Sequence, residues 1–260
     1  MTDNTDNTDN TDNTQIATIR PEASSAIEML LSKLTGDLGD EMLSLTAVGS
    51  VLTGDFHPKR SDINTVLVVK QRSHRLLELL AGYGRSMGKR KLSAPLMMTP
   101  QYIEQSMDVF GVELLDYQLN HTVICGDDPF AELSFNKNDV RLQCERDLKA
   151  ALIRLRQGYI SALGKSRPVA GLLLECASRL AVLLRAMLWL TDNDRPIETM
   201  PTLEAAAGTL EFDAAKLSTI MRLRIEHSPP KADQVEAIFE DTYQIVDHLA
   251  KRVDRIGDAS

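Results

Sequence analysis

The chain has 260 residues, 43% of them hydrophobic, which gives room for one large or two small domains, each with a proper core. Its formal net charge is −8, of which Asp3, Asp6, Asp9 and Asp12 supply four, so the remainder sits near −4 and excludes a broad nucleic-acid footprint, a local basic loop apart. The chain opens without a signal-peptide pattern, Cys125, Cys144 and Cys176 are too widely spaced for a disulfide frame or zinc site, and the most apolar run, 169–190, carries Glu175, Arg179 and Arg185, so the expectation is a cytoplasmic protein without a membrane span.

Residues 1–15 repeat Thr-Asp-Asn, and the composition predicts a disordered tail over 1–20, because short polar side chains bury too little surface to offset ordering entropy. Ser25 and Glu28 form a capping box ahead of Ile27, Leu30, Leu31 and Leu34, which predicts a helix to about Leu38. Leu45–Val48 is a short apolar strand that stops at Gly49-Ser50, where a short helix is expected. A loop with Lys59 and Arg60 follows, then a β-branched strand from Ile63 to Val69. Alternation along a strand puts Asp62 and Asn64 on one face and Ile63 on the other.

Ser73 to about Gly88 reads as a helix ending in the basic cluster Lys89-Arg90-Lys91. Ala94–Met98 is a third strand, and Thr99-Pro100 opens a short helix. Val109–Tyr117 is apolar with two embedded acids, Glu113 and Asp116, and reads as a strand; His121–Gly126 is another. Asp127 and Asp128 are turn and cap residues. From about Asn138 the pattern is helical only, with Cys144, Leu148, Leu152, Leu155 and Tyr159 on one face and Val235, Ile238, Val246, Leu249 and Val253 on another. Four to five helices form a bundle, and its first helix carries Arg141, Glu145, Arg146, Lys149, Arg154 and Arg156 as a charged face. The fold class is therefore α+β, with a mixed sheet and helices over 21–134 and an all-α bundle over 135–258.

Gly49 lets a phosphate approach the backbone, Ser50 offers a hydroxyl and an N–H, and a strand-borne acid across the gap suits magnesium chemistry. The order of strand, Gly49-Ser50, spacer, Asp62-Ile63-Asn64 and strand resembles the signature of the polymerase-β-like nucleotidyltransferase superfamily. Within it, the chain is similar to the bacterial aminoglycoside (kanamycin) type with a C-terminal helical bundle. The resemblance covers about 44–126. It implies a homodimer, NMP transfer from a Mg²⁺-bound NTP to a hydroxyl acceptor, phosphates on Gly49 and Ser50, and Mg²⁺ on Asp62 and Asn64; Lys59 and Arg60, mobile cations of the loop, are then expected to contact the triphosphate tail. It also implies a third carboxylate in an apolar strand, which is Glu113 or, in reserve, Asp116. A helical-domain general base is implied too, with Glu145 the candidate by position. Asn64 departs from the pattern, since the family has an acid there, and the site loses one metal-neutralising charge.

Two other functions remain open. One is a nucleotide-binding module that does not turn over and acts as a regulatory or antitoxin-like partner. The other is a ribonuclease built on Arg222 and His227 of the bundle, a short pattern that arises often by chance.

Overall fold

A computed structural model describes residues 19–256. The Thr-Asp-Asn repeat, expected to be disordered, lies outside them. Ile19 and Arg20 do not belong to a tail: Ile19 is buried, and the Arg20 guanidinium donates to the Thr53 carbonyl at 2.8 Å. The described chain forms two compact units. One runs to Gln105 and adds Asn120–Leu133; the other comprises Ser106–Leu119 and the chain from Ser134 onward. Among the described residues no helix is long and apolar enough to cross a membrane.

The first unit begins with α1 (Pro21–Leu38). The helix starts four residues before the expected capping box, with Pro21 in the first turn, where its missing N–H would have had no partner anyway. Ser25 is therefore inside the helix and caps nothing. Ile27, Leu30 and Leu34 are fully buried and pack in one cluster with Leu45 and Leu67 of the sheet, each such side chain contributing about 2 kcal/mol of burial.

The sheet has four strands, β1 (Met42–Val48), β2 (Asn64–Val69), β3 (Leu96–Met98) and β4 (His121–Gly126), in the order β3-β2-β1-β4. β1 pairs antiparallel with β2 and β4, whereas β2 and β3 run parallel, so the sheet is mixed, as expected. α2 (His74–Gly88) follows β2, with the Ser73 hydroxyl accepting from the Leu76 N–H as its N-cap. The short α3 (Pro100–Gln105) follows β3.

The second unit is all helix: α4 (Gly111–Leu119), α5 (Lys137–Ser161), α6 (Ser166–Leu190), α7 (Thr199–Leu210), α8 (Ala214–Ile225) and α9 (Val235–Ile256). Its core joins Val112 and Leu115 of α4 to Cys144, Leu148 and Leu155 of α5, Leu173, Leu180 and Leu184 of α6, and Val246 and Leu249 of α9. The expectation of a strand at Val109–Tyr117 is wrong. Gly111, Val112, Leu114 and Leu115 are the buried positions, which is the i, i+3, i+4 spacing of a helix. A Cβ on Gly111 would meet Val140 Cγ2 at 3.2 Å, so the glycine sets how closely α4 lies on α5.

Candidate nucleotide site

β1 ends at Val48, and the chain turns at Gly49 with φ +82°, a conformation that side-chain-bearing residues rarely adopt. The expected short helix is a single 3-10 turn, Gly49–Leu52, too short to carry a useful dipole. Its function is to close the loop. The Ser50 carbonyl accepts from the Thr53 N–H at 3.0 Å and from the Thr53 hydroxyl at 3.2 Å. The Asn120 side-chain amide donates to the Gly49 carbonyl at 3.3 Å and ties the start of β4 to the turn.

The loop that carries Lys59 and Arg60 is a folded turn. The buried Ser61 hydroxyl accepts from the His57 N–H at 2.9 Å, and the Arg60 and Ser61 N–H groups both donate to the His57 carbonyl. Lys59 and Arg60 are exposed at its tip.

Asp62 and Asn64 are exposed, and Ile63 between them is buried and bridges to Leu92, the alternation expected of this strand. Asn64 is the register partner of Val48, beside the turn. A Cβ on Gly49 would lie 3.7 Å from the Asn64 amide nitrogen, so this side chain stands over the glycine. Gly49, Ser50, Asp62, Asn64, Lys59 and Arg60 thus belong to one unit, grouped at one end of β1 and β2.

Both candidates for the third carboxylate are on α4 of the helical unit. Glu113 accepts from Arg179 at 2.7 Å and from the Gln143 amide at 2.6 Å. Arg179 also holds Asp147. Asp116 makes a bidentate pair with Arg185, 2.5 and 3.0 Å, with both side chains largely covered. The strand setting on which the third-carboxylate assignment rested is absent, and each acid is already neutralised by an arginine. Glu145, on α5, is gripped by Lys149 and Arg141; the hydrogen bond from Lys149 is the main cause that holds its carboxyl below the usual range, against a smaller opposing effect of burial. A carboxylate so stabilised is a weak proton acceptor. Arg222 lies in the last turn of α8, and His227 follows that helix at φ +49°.

Asp62 and Asn64 offer a carboxylate and a carboxamide oxygen, a donor set that suits one magnesium ion keeping waters and phosphate oxygens as its other ligands. Among the described residues no group of three or more His, Cys, Asp or Glu side chains is placed to hold a metal ion.

With this geometry the fold is comparable with solved structures. The spectinomycin adenyltransferase AAD(9) from Enterococcus faecialis, solved with ATP and spectinomycin, superposes with a TM-score of 0.56 over 88% of this chain and 98% of its own, at 13% sequence identity. The chain has the fold of that adenyltransferase. No family model matches the sequence, and no curated protein matches it. The likeness is therefore one of architecture.

Three groups at this end of the sheet were not singled out from sequence: Asn120, Arg20 and His121. Asn120 is the single residue between α4 and β4, and Arg20 lies in what reads as a tail, so neither carries a motif. His121 reads only as the first residue of a strand, and its proximity to the turn comes from β1–β4 pairing, which is non-local.

Proposed function

We propose that the chain is a nucleotidyltransferase that binds a nucleoside triphosphate, ATP first among the candidates, at the Gly49 turn and transfers its nucleotidyl group to a hydroxyl of a second substrate. The observation that carries the reading is the positive-φ glycine at the end of β1, with the Asn64 amide standing over it and Asp62 exposed on the adjoining segment, in a chain with the fold of an ATP-using adenyltransferase. Gly49 presents backbone without a Cβ, so a phosphate oxygen can approach it, and Ser50 adds a hydroxyl. Lys59 and Arg60, exposed on a folded turn, meet the β- and γ-phosphates. Asp62 and Asn64 would hold one Mg²⁺, which neutralises phosphate charge when bound.

In the reaction the acceptor oxygen forms a bond to the α-phosphorus, the bond from that phosphorus to the bridging oxygen breaks, and pyrophosphate leaves with the electron pair. The hydroxyl proton passes to water. The residues of the turn contribute by holding the phosphates in line for that displacement. The setting would be the cytoplasm, where ATP is plentiful.

The test is transfer of label from α-³²P-ATP to a panel of hydroxyl compounds that includes spectinomycin, with release of pyrophosphate. Transfer by the wild type that drops at least a hundredfold in Asp62→Ala supports the reading; equal transfer by both would overturn it. Asn64 favours a second reading. A carboxamide instead of a carboxylate leaves the metal with less charge opposite it, which suits a domain that holds the nucleotide without turning it over. Asn64→Asp separates the two: transfer that arises only in that variant means the natural chain is a nucleotide-binding partner protein.

A further inference from the structure

We infer that His121, fixed by Asp128, is part of the triphosphate-binding surface on the far side of the Gly49 turn from Asp62. The inference rests on the nucleotide-site reading above and names a residue which that reading does not use.

Three observations carry it. The first is register. Val48, the last residue of β1, is paired with Asn64 on β2 and with His121 on β4. Directly opposed residues of antiparallel strands project from the same face. Asn64 and His121 therefore stand on one face on either side of Val48, two strand spacings or about 10 Å apart, with the Gly49 turn immediately after the residue between them. A phosphate chain seated on that turn lies between the two side chains.

The second is how the histidine is held. Its Nε2 is 3.0 Å from Asp128 Oδ2, and the ring meets Phe130 edge-on with centroids 5.3 Å apart. Asp128 is itself immobilised, since its Oδ1 accepts from the Phe130 and Ala131 N–H groups at 2.9 and 3.2 Å. A strand-end histidine that serves only as packing needs no carboxylate partner. One fixed by a carboxylate has its ring orientation set, as a group that meets a phosphate requires.

The third is local charge. The Gly49 end of the sheet has Asp62 on one side, and the Asn120 amide and His121 at the β4 side. With Asn64 in place of an acid, the face is less negative than a multi-carboxylate metal site, which leaves more of the phosphate charge for side-chain donors on the β4 side to meet.

The experiment measures equilibrium binding of ATP, ADP and AMP, with Mg²⁺, to full-length wild type, His121→Gln and Asp128→Asn. Phosphate contact predicts that His121→Gln weakens ATP by about tenfold while AMP changes less than twofold, and that Asp128→Asn, which keeps an oxygen for the two backbone N–H groups, shows a smaller loss of the same kind. A purely structural histidine would weaken all three nucleotides alike or none, and either pattern overturns the inference. Thermal melts of both variants identify loss by misfolding, and Asp128→Asn carries the test if His121→Gln does not fold. Wild type that binds no nucleotide overturns the nucleotide-site reading and this inference together, whereas ATP binding unchanged in both variants but lost in Asp62→Ala overturns this one alone.

Discussion

Gly49 and Gly126 look alike by backbone angle, with φ +82° and +80°, yet alanine at the two positions is expected to fail in different ways. A Cβ on Gly126 would lie 1.9 Å from the Leu43 carbonyl oxygen, 2.8 Å from its carbon and 2.9 Å from Ser44 Cα. All three are backbone atoms of β1 and cannot swing aside. Gly126→Ala must separate the Ser44–Gly126 pair at the end of the β1–β4 ladder, and with left-handed strain added the loss is about 3 kcal/mol or more. A Cβ on Gly49 meets only the Asn64 amide nitrogen, at an ordinary 3.7 Å. The folding loss there is the left-handed strain alone, about 1 kcal/mol. What the added methyl does remove is the space above the backbone into which a phosphate oxygen would come, so ATP affinity should fall about tenfold or more. Urea unfolding curves give the stabilities, and titration calorimetry gives the ATP affinities of the folded variants. The reasoning is refuted if Gly49→Ala is as unstable as Gly126→Ala, or if it binds ATP as the wild type does.

Asp116→Ala leaves Arg185 without its bidentate partner in a mostly covered position, and the helical unit should lose about 2 kcal/mol in chemical unfolding with nucleotide binding untouched. Glu113→Gln weakens a partly exposed pair with Arg179, and about 1 kcal/mol of stability is expected, again without change in ATP affinity; a hundredfold loss of transfer with stability intact would return Glu113 to the metal site. Asp128 has its carboxyl held below the ordinary range. Burial acts the other way, but the Phe130 N–H, His121 and the Ala131 N–H outweigh it. Its charged form therefore contributes stability above the ordinary carboxylate range, and that contribution is lost as pH falls below about 4. Asp128→Asn should flatten the acid limb of the stability curve, measured by urea midpoint against pH, and an unchanged slope would count against the pairing.

Most of the first unit is legible in the sequence because its elements declare themselves locally. Ser73 caps α2 as its position suggests, His121–Gly126 is a strand with those bounds, and the Asp62-Ile63-Asn64 alternation follows from period-two geometry alone. The misreadings have physical causes. At α1, Pro21 offers a helix start as good as the Ser25–Glu28 box, and burial of Ala23 favours the earlier one. At Val109–Tyr117, a nine-residue apolar run with two acids fits either period. Only the arginines of α6, more than sixty residues further along the chain, supply the counter-charges that let Glu113 and Asp116 sit on a packed helix. The roles of His121 and Asn120 depend on strand pairing, which leaves no local pattern in the sequence.

The most direct test is equilibrium binding of ATP, GTP, CTP and UTP to the wild type and to Asp62→Ala, each with and without Mg²⁺. Mg²⁺-dependent binding of at least one triphosphate, lost or weakened at least tenfold in Asp62→Ala, is the expected result and would name the nucleotide. Absence of binding by the wild type, or binding that ignores both Mg²⁺ and Asp62, would contradict the assignment of the Gly49 turn as a nucleotide site.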